Sequence, residues 1–474
     1  MRRVGLIQSA ILLAAGEGTR MKSNKPKVLH SLAGRTLIGH VLNSISNLNP
    51  EEVLVVVGHG RELVEAELHK IAPDAKTVFQ SERNGTGHAV QIALEKVSKN
   101  GVALIIAGDV PLISATTLKD FLAAHNAGKF AASVLTAELM DPTGYGRVIR
   151  GNDDLLLRIV EEKDATDDER AIFEVNSGIY LFDLEALNMA ISKLTKNNAQ
   201  NELYLTDVIE IIRTNGGNVA PIIVEDFYET LGVNDRIQLA EAAAIFRDLI
   251  NERHMKNGVS ILDPSTTWID ETVMIASDVT ILPGSSITGE TAIAKDAVIG
   301  PRTTLHDCAV NAGAKIIESN CTGSEIGENA NVGPFAYLRN GTILGKETKA
   351  GAFVEIKNSQ VGTGSKIPHL SYVGDATIGE ETNIGAATIF VNYDGENKHR
   401  TEVGNHVKIG SDTMLVAPVE IGDGAYTAAG SVITENVPAG AMGVGRAKQR
   451  NVLGWVLRKR PNSKSAEAAK KKGA

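Results

Sequence analysis

The stretch Ile275-Ala276-Ser277-Asp278-Val279-Thr280-Ile281-Leu282-Pro283-Gly284-Ser285-Ser286-Ile287-Thr288-Gly289-Glu290-Thr291-Ala292-Ile293 carries an aliphatic at every sixth position. The count continues at Ile299 and Leu305. It returns at Ile326, Val332, Leu338, Leu344 and Ile356, with Ala350 in step, and again at Val403, Ile409, Leu415, Ile421 and Ile433, with Thr427 in step. A period of six suits neither an amphipathic helix nor a lone alternating strand. It suits a hexapeptide-repeat parallel β-helix, in which each repeat is a short strand and a turn and three repeats close a triangular coil. The aliphatic then points into the prism. The small residue that often follows it, as in Ile299-Gly300 and Leu344-Gly345, is expected to let the backbone turn. This repeat forms a left-handed coil, an exception to the usual right-handed crossover.

Outside these blocks the phase changes. It is expected to be lost through Asn311–Ser324 and to shorten by one residue from Ile356 to Val361 and from Val373 to Ile378. A polar insertion, Phe390-Val391-Asn392-Tyr393-Asp394-Gly395-Glu396-Asn397-Lys398-His399-Arg400, separates Ile384 from Val403. In solenoids such insertions become loops that carry binding sites.

A chain of 474 residues has room for two or three domains. Aromatics make up only 4%, as a prism of Ile, Val and Gly requires, and a net charge of −9 argues against a nucleic-acid coat. Phosphorylated substrates would need local cationic pockets. Met1-Arg2-Arg3 before an apolar patch looks like a leader, but Ala10–Ala15 is too short and runs into a glycine-rich loop, so a buried strand is expected. No stretch approaches a membrane span. Two cysteines, Cys308 and Cys321, suit a reduced cytoplasmic setting, with a catalytic thiol as the sharper alternative.

Residues 1–234 alternate short apolar runs (Ala10–Ala15, Val53–Val57, Ala103–Ala107, Ala132–Thr136) with helical stretches such as Leu37–Ser46 and Gly87–Lys99. That order predicts a three-layer, Rossmann-like α/β domain on a mostly parallel sheet, with ligands beyond the carboxyl ends of its strands. Residues 235–257 read as a linker helix, with Leu239, Ala242, Ala243, Phe246 and Ile250 on one face. The β-helix domain should span 258–455, and 456–474 should be a solvated, frayed basic tail.

The first strand enters Leu13-Ala14-Ala15-Gly16-Glu17-Gly18-Thr19-Arg20-Met21. Glycines after a strand let N–H groups approach a phosphate. A dinucleotide fingerprint wants a third glycine where Met21 stands, and no Gly-Lys-Ser/Thr marks a P-loop. Arg20 and then Lys27 follow, two cations that would suit a triphosphate losing pyrophosphate. Taken alone, Arg20 and Lys27 read better as surface charges.

Further motifs follow: Gln80 before Gly85-Thr86-Gly87-His88, Ala107-Gly108-Asp109-Val110-Pro111, Thr143-Gly144-Tyr145-Gly146-Arg147, Glu161-Glu162-Lys163, Asn176-Ser177-Gly178, Asn198-Ala199-Gln200 and Gly232-Val233-Asn234. This set resembles the sugar-phosphate nucleotidyltransferases. Joined to hexapeptide repeats, the chain from about Ile11 to Gln449 is similar to the bacterial enzymes that combine uridyl transfer with acetylation of a sugar amine. The resemblance implies that Leu13, Ala14, Ala15, Gly16, Gln80, Gly85, Thr86, Ala107 and Gly108 hold UTP, with Arg20 and Lys27 on its phosphates. It implies that Gly146, Glu161 and Asn176 hold N-acetylglucosamine-1-phosphate and that Asp109 and Asn234 ligate Mg²⁺. One Asp and one Asn suit magnesium, which takes its other oxygens from phosphate and water.

In the second half, Arg339 and Lys357 are eighteen residues apart in unbroken phase, so they should stack one coil apart, about 4.8 Å along the axis. Like charges that close repel unless an anion lies between them or they splay into solvent. His369 and Tyr372 stand in Ile367-Pro368-His369-Leu370-Ser371-Tyr372. A lone histidine can be purely structural; the resemblance makes this one the general base. It would take a proton from the 2-ammonium group of glucosamine-1-phosphate so that the amine attacks the acetyl-CoA thioester, a task suited to imidazole. By the same resemblance the Ala386 N–H stabilises the oxyanion. Arg339, Lys357, Tyr372, Asn383, Asn392 and Lys398 bind the sugar phosphate, and Asn392, Tyr393, Ser411, Ala429 and Arg446 border acetyl-CoA. Glu355 is a candidate to orient His369. A homotrimer built along the β-helices is expected, because the flat faces of a triangular prism should pack, and the resemblance places acetyl-CoA between neighbouring subunits. Two rivals remain: a nucleotidyltransferase with one activity whose β-helix serves oligomerisation, and a non-catalytic scaffold.

Overall fold

The computed structural model describes residues 6–82, 84–97 and 100–473. The basic start at Met1–Arg3, the expected helix end at Lys99 and the last tail residue, Ala474, lie outside them. The chain divides into two compact units, Met1–Arg253 with Ile269–Thr272, and His254–Trp268 with Val273–Ala474.

In the first unit, the four expected strands appear with slightly shifted bounds as β1 Ile7–Ala14, β2 Glu52–Val57, β4 Val102–Ala107 and β5 Ala132–Glu138, and β3 Lys76–Phe79 is a strand the sequence pattern did not mark. Four more follow: β6 Arg147–Arg150, β7 Leu156–Val160, β8 Glu174–Asp183 and β9 Val219–Ile223. The sheet order is β9-β5-β8-β4-β1-β2-β3, with the β6–β7 hairpin joined through β8. β1 is parallel to β2 and β4, whereas β8 runs antiparallel to β4 and β5. The central strands are apolar nearly throughout, because both faces are covered: Leu12, Val55 and Ile106 lie in one core and Ile11, Leu54 and Ile105 in the other. Helix Leu37–Ser46 falls where its pattern places it; the helix expected over Gly87–Lys99 is Thr86–Leu94.

The helix read as a linker spans Arg236–Lys256. Up to Arg253 it clusters with the first unit, where Leu239, Ala242, Ala243 and Phe246 pack with Leu32, Leu37 and Leu112.

The second unit is the left-handed parallel β-helix: three sheets of 11, 10 and 9 strands, each strand two to four residues long. One inward ladder runs Ile261, Ile281, Ile299, Ile316, Val332, Ala350 and Ile367. All seven side chains are buried, at about 1.5–3 kcal/mol for each large aliphatic.

Three expectations about the repeat need correction. The phase is not lost through Asn311–Ser324; the coil shortens there, and Val310, Ile316 and Cys321 take the inward positions in continuous register. Cys321 passed unnoticed because a buried thiol does the work of an aliphatic. The insertion is also shorter than read, since Ile389–Val391 is a strand with Phe390 fully buried. Finally, most glycines after the aliphatic do not turn the chain. A Cβ on Gly362 would lie 2.6 Å from the Gly379 carbonyl carbon and one on Gly345 would lie 3.0 Å from Val361 O, so the next coil's backbone excludes it. Left-handed residues such as Asn329, Glu347 and Glu381 make the corners.

The tail is not frayed: Trp455–Lys459 and Lys464–Lys471 are short helices, the second capped by the Ser463 hydroxyl. Among the described residues no helix is long and apolar enough to cross a membrane.

Candidate active sites

At the carboxyl edge of the first unit's sheet, Gly108 N–H donates to Leu13 O at 3.0 Å, which sets the ends of β1 and β4 side by side. The loop after Ala14 has open space around Gly16 and turns at Gly18, whose φ is 64° and whose absent Cβ would lie 2.7 Å from Lys27 Cβ. Met21, where a dinucleotide loop would have glycine, is buried and anchors the turn. The loop thereby folds down onto Lys27.

The Lys27 ammonium forms an ion pair with Asp109 Oδ2 and donates to Asn234 Oδ1 at 3.0 Å. Arg20 Nη2 donates to the same Asn234 oxygen at 3.0 Å. Asn234 is held in place because Val233 N–H donates to Asp109 O at 2.8 Å. Four residues from three distant segments thus form one group. Two oxygen donors converge on a single cation, and among the described residues no cluster of three His, Cys, Asp or Glu side chains could hold a metal.

Gln80 is buried and donates to Gly85 O at 3.2 Å. The Gly85-Thr86 turn docks on the Asn198–Leu205 segment, where Leu205 N–H donates to Thr86 Oγ1 at 3.1 Å. Gly146, Glu161 and Asn176 also meet: a Cβ on Gly146 would lie 3.5 Å from Glu161 Oε2 and 3.6 Å from Asn176 Cβ. Asn176 donates to the Tyr180 hydroxyl at 2.8 Å, and Thr206 Oγ1 donates to Glu161 Oε1 at 3.1 Å. Burial raises the Glu161 carboxyl above its ordinary value, opposed by the Thr206 bond and reinforced by Asp164. Asp207 is raised to about 6, by burial first and then by Glu161, Glu210 and Asp164. Thr206, Tyr180 and Asp207 escaped the sequence reading, since nothing in their spacing ties them to Glu161.

In the second unit, Arg339 and Lys357 do stand one coil apart, but each has its own carboxylate. Arg339 Nη1 donates to Glu355 Oε1 at 2.9 Å, and Lys357 Nζ lies 3.8 Å from Asp375 Oδ2. Glu355 is thus partnered with Arg339 through one of its two carboxylate oxygens. His369 is exposed at the end of Lys366–His369, its carbonyl held by Ser371 Oγ at 2.8 Å and Ala387 N–H at 3.2 Å. Tyr372 and Asn392 crowd the face of Gly374, where a Cβ would lie 2.4 Å from the phenol oxygen and 2.7 Å from Asn392 Nδ2.

Asp375 is the residue sequence reasoning missed. In the register Gly374 stands one coil after Lys357, and Asp375 is the residue that follows it. It accepts from Asn358 at 2.6 Å and from Asn392 at 2.5 Å. Burial alone would raise its carboxyl; those two bonds and the charges of Lys357 and Lys398 outweigh burial and hold it below the usual range. Lys357 is lowered, chiefly by its neighbour Lys398. Asn383 lies in the strand after Lys366, and Ala386 follows with its carbonyl accepting from Asp412 N–H at 2.7 Å. Tyr393 is exposed in the loop. Ser411, Ala429 and Arg446 form a separate row: Gly430 N–H donates to Ser411 O at 2.9 Å, and a Cβ on Gly430 would lie 3.8 Å from Arg446 Cδ. No hydrogen bond among the described residues joins that row to His369.

Residues 10–173 match the MobA-like NTP transferase domain, and residues 400–435 match the bacterial transferase hexapeptide (six repeats). A relative from Streptomyces coelicolor, "Bifunctional protein GlmU", is 51% identical over 464 residues, 97% of this chain and 96% of the relative. Proteins of the same name from Corynebacterium efficiens and Mycolicibacterium vanbaalenii are each 51% identical over 97% of this chain, covering 96% and 94% of their own lengths. With half its residues shared along almost the full length of both units, the chain belongs to the bifunctional GlmU family and is a transferase with uridyltransferase and acetyltransferase activities of UDP-N-acetylglucosamine synthesis.

Proposed function

We propose that uridyl transfer is carried out by the Arg20–Lys27–Asp109–Asn234 group and acetyl transfer by the group around His369. The observation that carries the first reading is the convergence of Asp109 Oδ2 and Asn234 Oδ1 on one cation. Two oxygens so placed fit a hard divalent ion that draws its other ligands from phosphates and water, and we assign Mg²⁺ to them. Such an ion would polarise the α-phosphate of UTP. Leu13, Ala14, Ala15, Gly16, Gln80, Gly85, Thr86, Ala107 and Gly108 frame the nucleotide. Gly146, Glu161 and Asn176 hold the sugar of N-acetylglucosamine-1-phosphate, whose phosphate attacks in line. Arg20 and Lys27 offset the charge growing on pyrophosphate.

In the acetyltransferase, Arg339, Lys357, Tyr372, Asn383, Asn392 and Lys398 bind glucosamine-1-phosphate. His369 takes a proton from its 2-ammonium group, the amine attacks the thioester of acetyl-CoA, and coenzyme A leaves as the thiol. The Ala386 N–H faces the oxyanion. Tyr393, Ser411, Ala429 and Arg446 border acetyl-CoA.

We assign the chain to a cytoplasmic homotrimer, with residues 1–234 and 258–455 as its two functional domains. An apolar ladder supports self-association: Phe335 and Phe353 are exposed, with ring centroids 5.2 Å apart, and exposed Leu370 adjoins His369. Sedimentation should give a trimer; a monomer fully active in acetylation would contradict it. One purified preparation should convert glucosamine-1-phosphate, acetyl-CoA and UTP to UDP-N-acetylglucosamine.

A further inference from the structure

Asp375 has no role in the assignments above, yet the acetyl-transfer group is tied together through it. Its side chain is 11% exposed. One carboxylate oxygen accepts from Asn358, and the other accepts from Asn392 and lies 3.8 Å from Lys357 Nζ. We propose that Asp375 is the positioning residue of the acetyltransferase site, its carboxylate orienting the Asn392 amide and keeping the Lys357 and Lys398 ammonium groups together where the sugar phosphate binds. This deepens, and rests on, the reading of that site as the glucosamine-1-phosphate site.

The corner does not by itself demand an aspartate. Asp375 has φ 52°, a conformation shared by Asn358 one coil earlier at φ 45°, so asparagine would satisfy the backbone equally. What asparagine cannot do is accept from two amides and face two cations. Its own NH2 would point at one of the donors it now receives. Lys357 meets Asp375, Lys398 and Arg339, two like charges against one opposite one. Without the carboxylate, the two ammonium groups repel and separate. At 3.8 Å the Lys357–Asp375 contact is loose, so the ammonium keeps donors for a phosphate. The bond to Asn392 fixes that amide, because its nitrogen is committed to Asp375 and its oxygen must face elsewhere. Asn392 and Tyr372 then meet over Gly374, which has no side chain to part them.

The test is Asp375→Asn in the full-length protein, with acetylation kinetics from pH 6 to about pH 9.5. KM for glucosamine-1-phosphate should rise about tenfold or more, the loss expected when charge-assisted bonds are disordered, and KM for acetyl-CoA should change little. The pH at which KM for the sugar phosphate begins to climb should fall, because Lys357 loses its proton more easily without Asp375. A merely structural role would not move that limb. Lys357→Ala separates the two failures. If it raises KM for the sugar phosphate while Asp375→Asn alters neither KM nor the limb, the role of Asp375 is overturned alone. If Lys357→Ala also leaves KM unchanged, the sugar-phosphate reading falls. An unchanged circular dichroism spectrum and thermal unfolding transition report that the variant's β-helix has folded. Should Asp375→Asn fail to fold, Lys398→Met provides the readout: with one cation removed, the alkaline limb should move to higher pH, and an unmoved limb overturns the proposal.

Discussion

The Lys27 ammonium is paired with the Asp109 carboxylate, 82 residues further along the chain, and the same nitrogen reaches Asn234 Oδ1 at 3.0 Å. A cation therefore already sits between the two oxygens assigned to magnesium. Removing Asp109 deletes the only carboxylate in that set. Asp109→Ala should lower uridyl transfer by at least about 10²-fold, since a bound metal supplies several kcal/mol of charge stabilisation. Acetyl transfer should be spared, because its residues belong to the other compact unit. EDTA should reproduce the split. Equal loss of both activities in folded protein would count against two separate sites.

His369→Ala should cut acetyl transfer by about 10²–10⁴-fold, the usual worth of a general base. KM for glucosamine-1-phosphate should change little. Arg339→Ala should show the opposite pattern, a raised KM with kcat less affected, and it also frees Glu355, its partner at 2.9 Å. Steady-state kinetics on the two variants checks both. Near-normal acetylation by His369→Ala would leave this histidine a structural one.

Asp207 should make the first unit less stable at neutral than at acidic pH. Burial among Glu161, Glu210 and Asp164 raises its carboxyl from 3.8 to about 6, so the folded state binds that proton more tightly than the unfolded chain. The favourable contribution is present below 3.8 and is lost as pH climbs through about 6. Asp207→Asn should raise the melting temperature at pH 7 by about 2–4 °C, the response to about 1 kcal/mol after discounting the exposed part of the side chain. The gain should vanish at pH 4, as calorimetry at the two values would show.

Cys308 and Cys321 should be silent to a thiol reagent in the native protein. Both are buried, and burial raises both thiols, Cys321 well above its ordinary value. Thiolate is the reactive form, so native protein should resist 5,5′-dithiobis(2-nitrobenzoate) and unfolded protein should release two equivalents. Rapid native labelling with loss of activity would restore the catalytic-thiol alternative.

The architecture was legible because it is written in local period. Six-residue spacing demands a three-sided coil, and apolar runs alternating with helical stretches demand a covered sheet. Where the coil shortens, the period alone misled, because the register between coils is set by backbone pairing and an inward Cys321 fills the core as an aliphatic would. The motif glycines were also legible, but the reason for most of the repeat glycines was not: Gly345 and Gly362 exclude a Cβ belonging to the next coil's backbone, a clash between coils that no local pattern carries.

By itself the sequence determined the two folds, the resemblance that points to the chemistry, and the residue types each reaction requires. Only the tertiary structure decided who partners whom. It gave Glu355 to Arg339, made Asp375 the common acceptor of Asn358 and Asn392, set Thr206 on Glu161, and closed Lys27 on Asp109. The physical reason is range. Strand period and turn chemistry act over a few neighbouring residues, whereas hydrogen bonds and charges act between whatever groups the finished fold brings within a few ångströms.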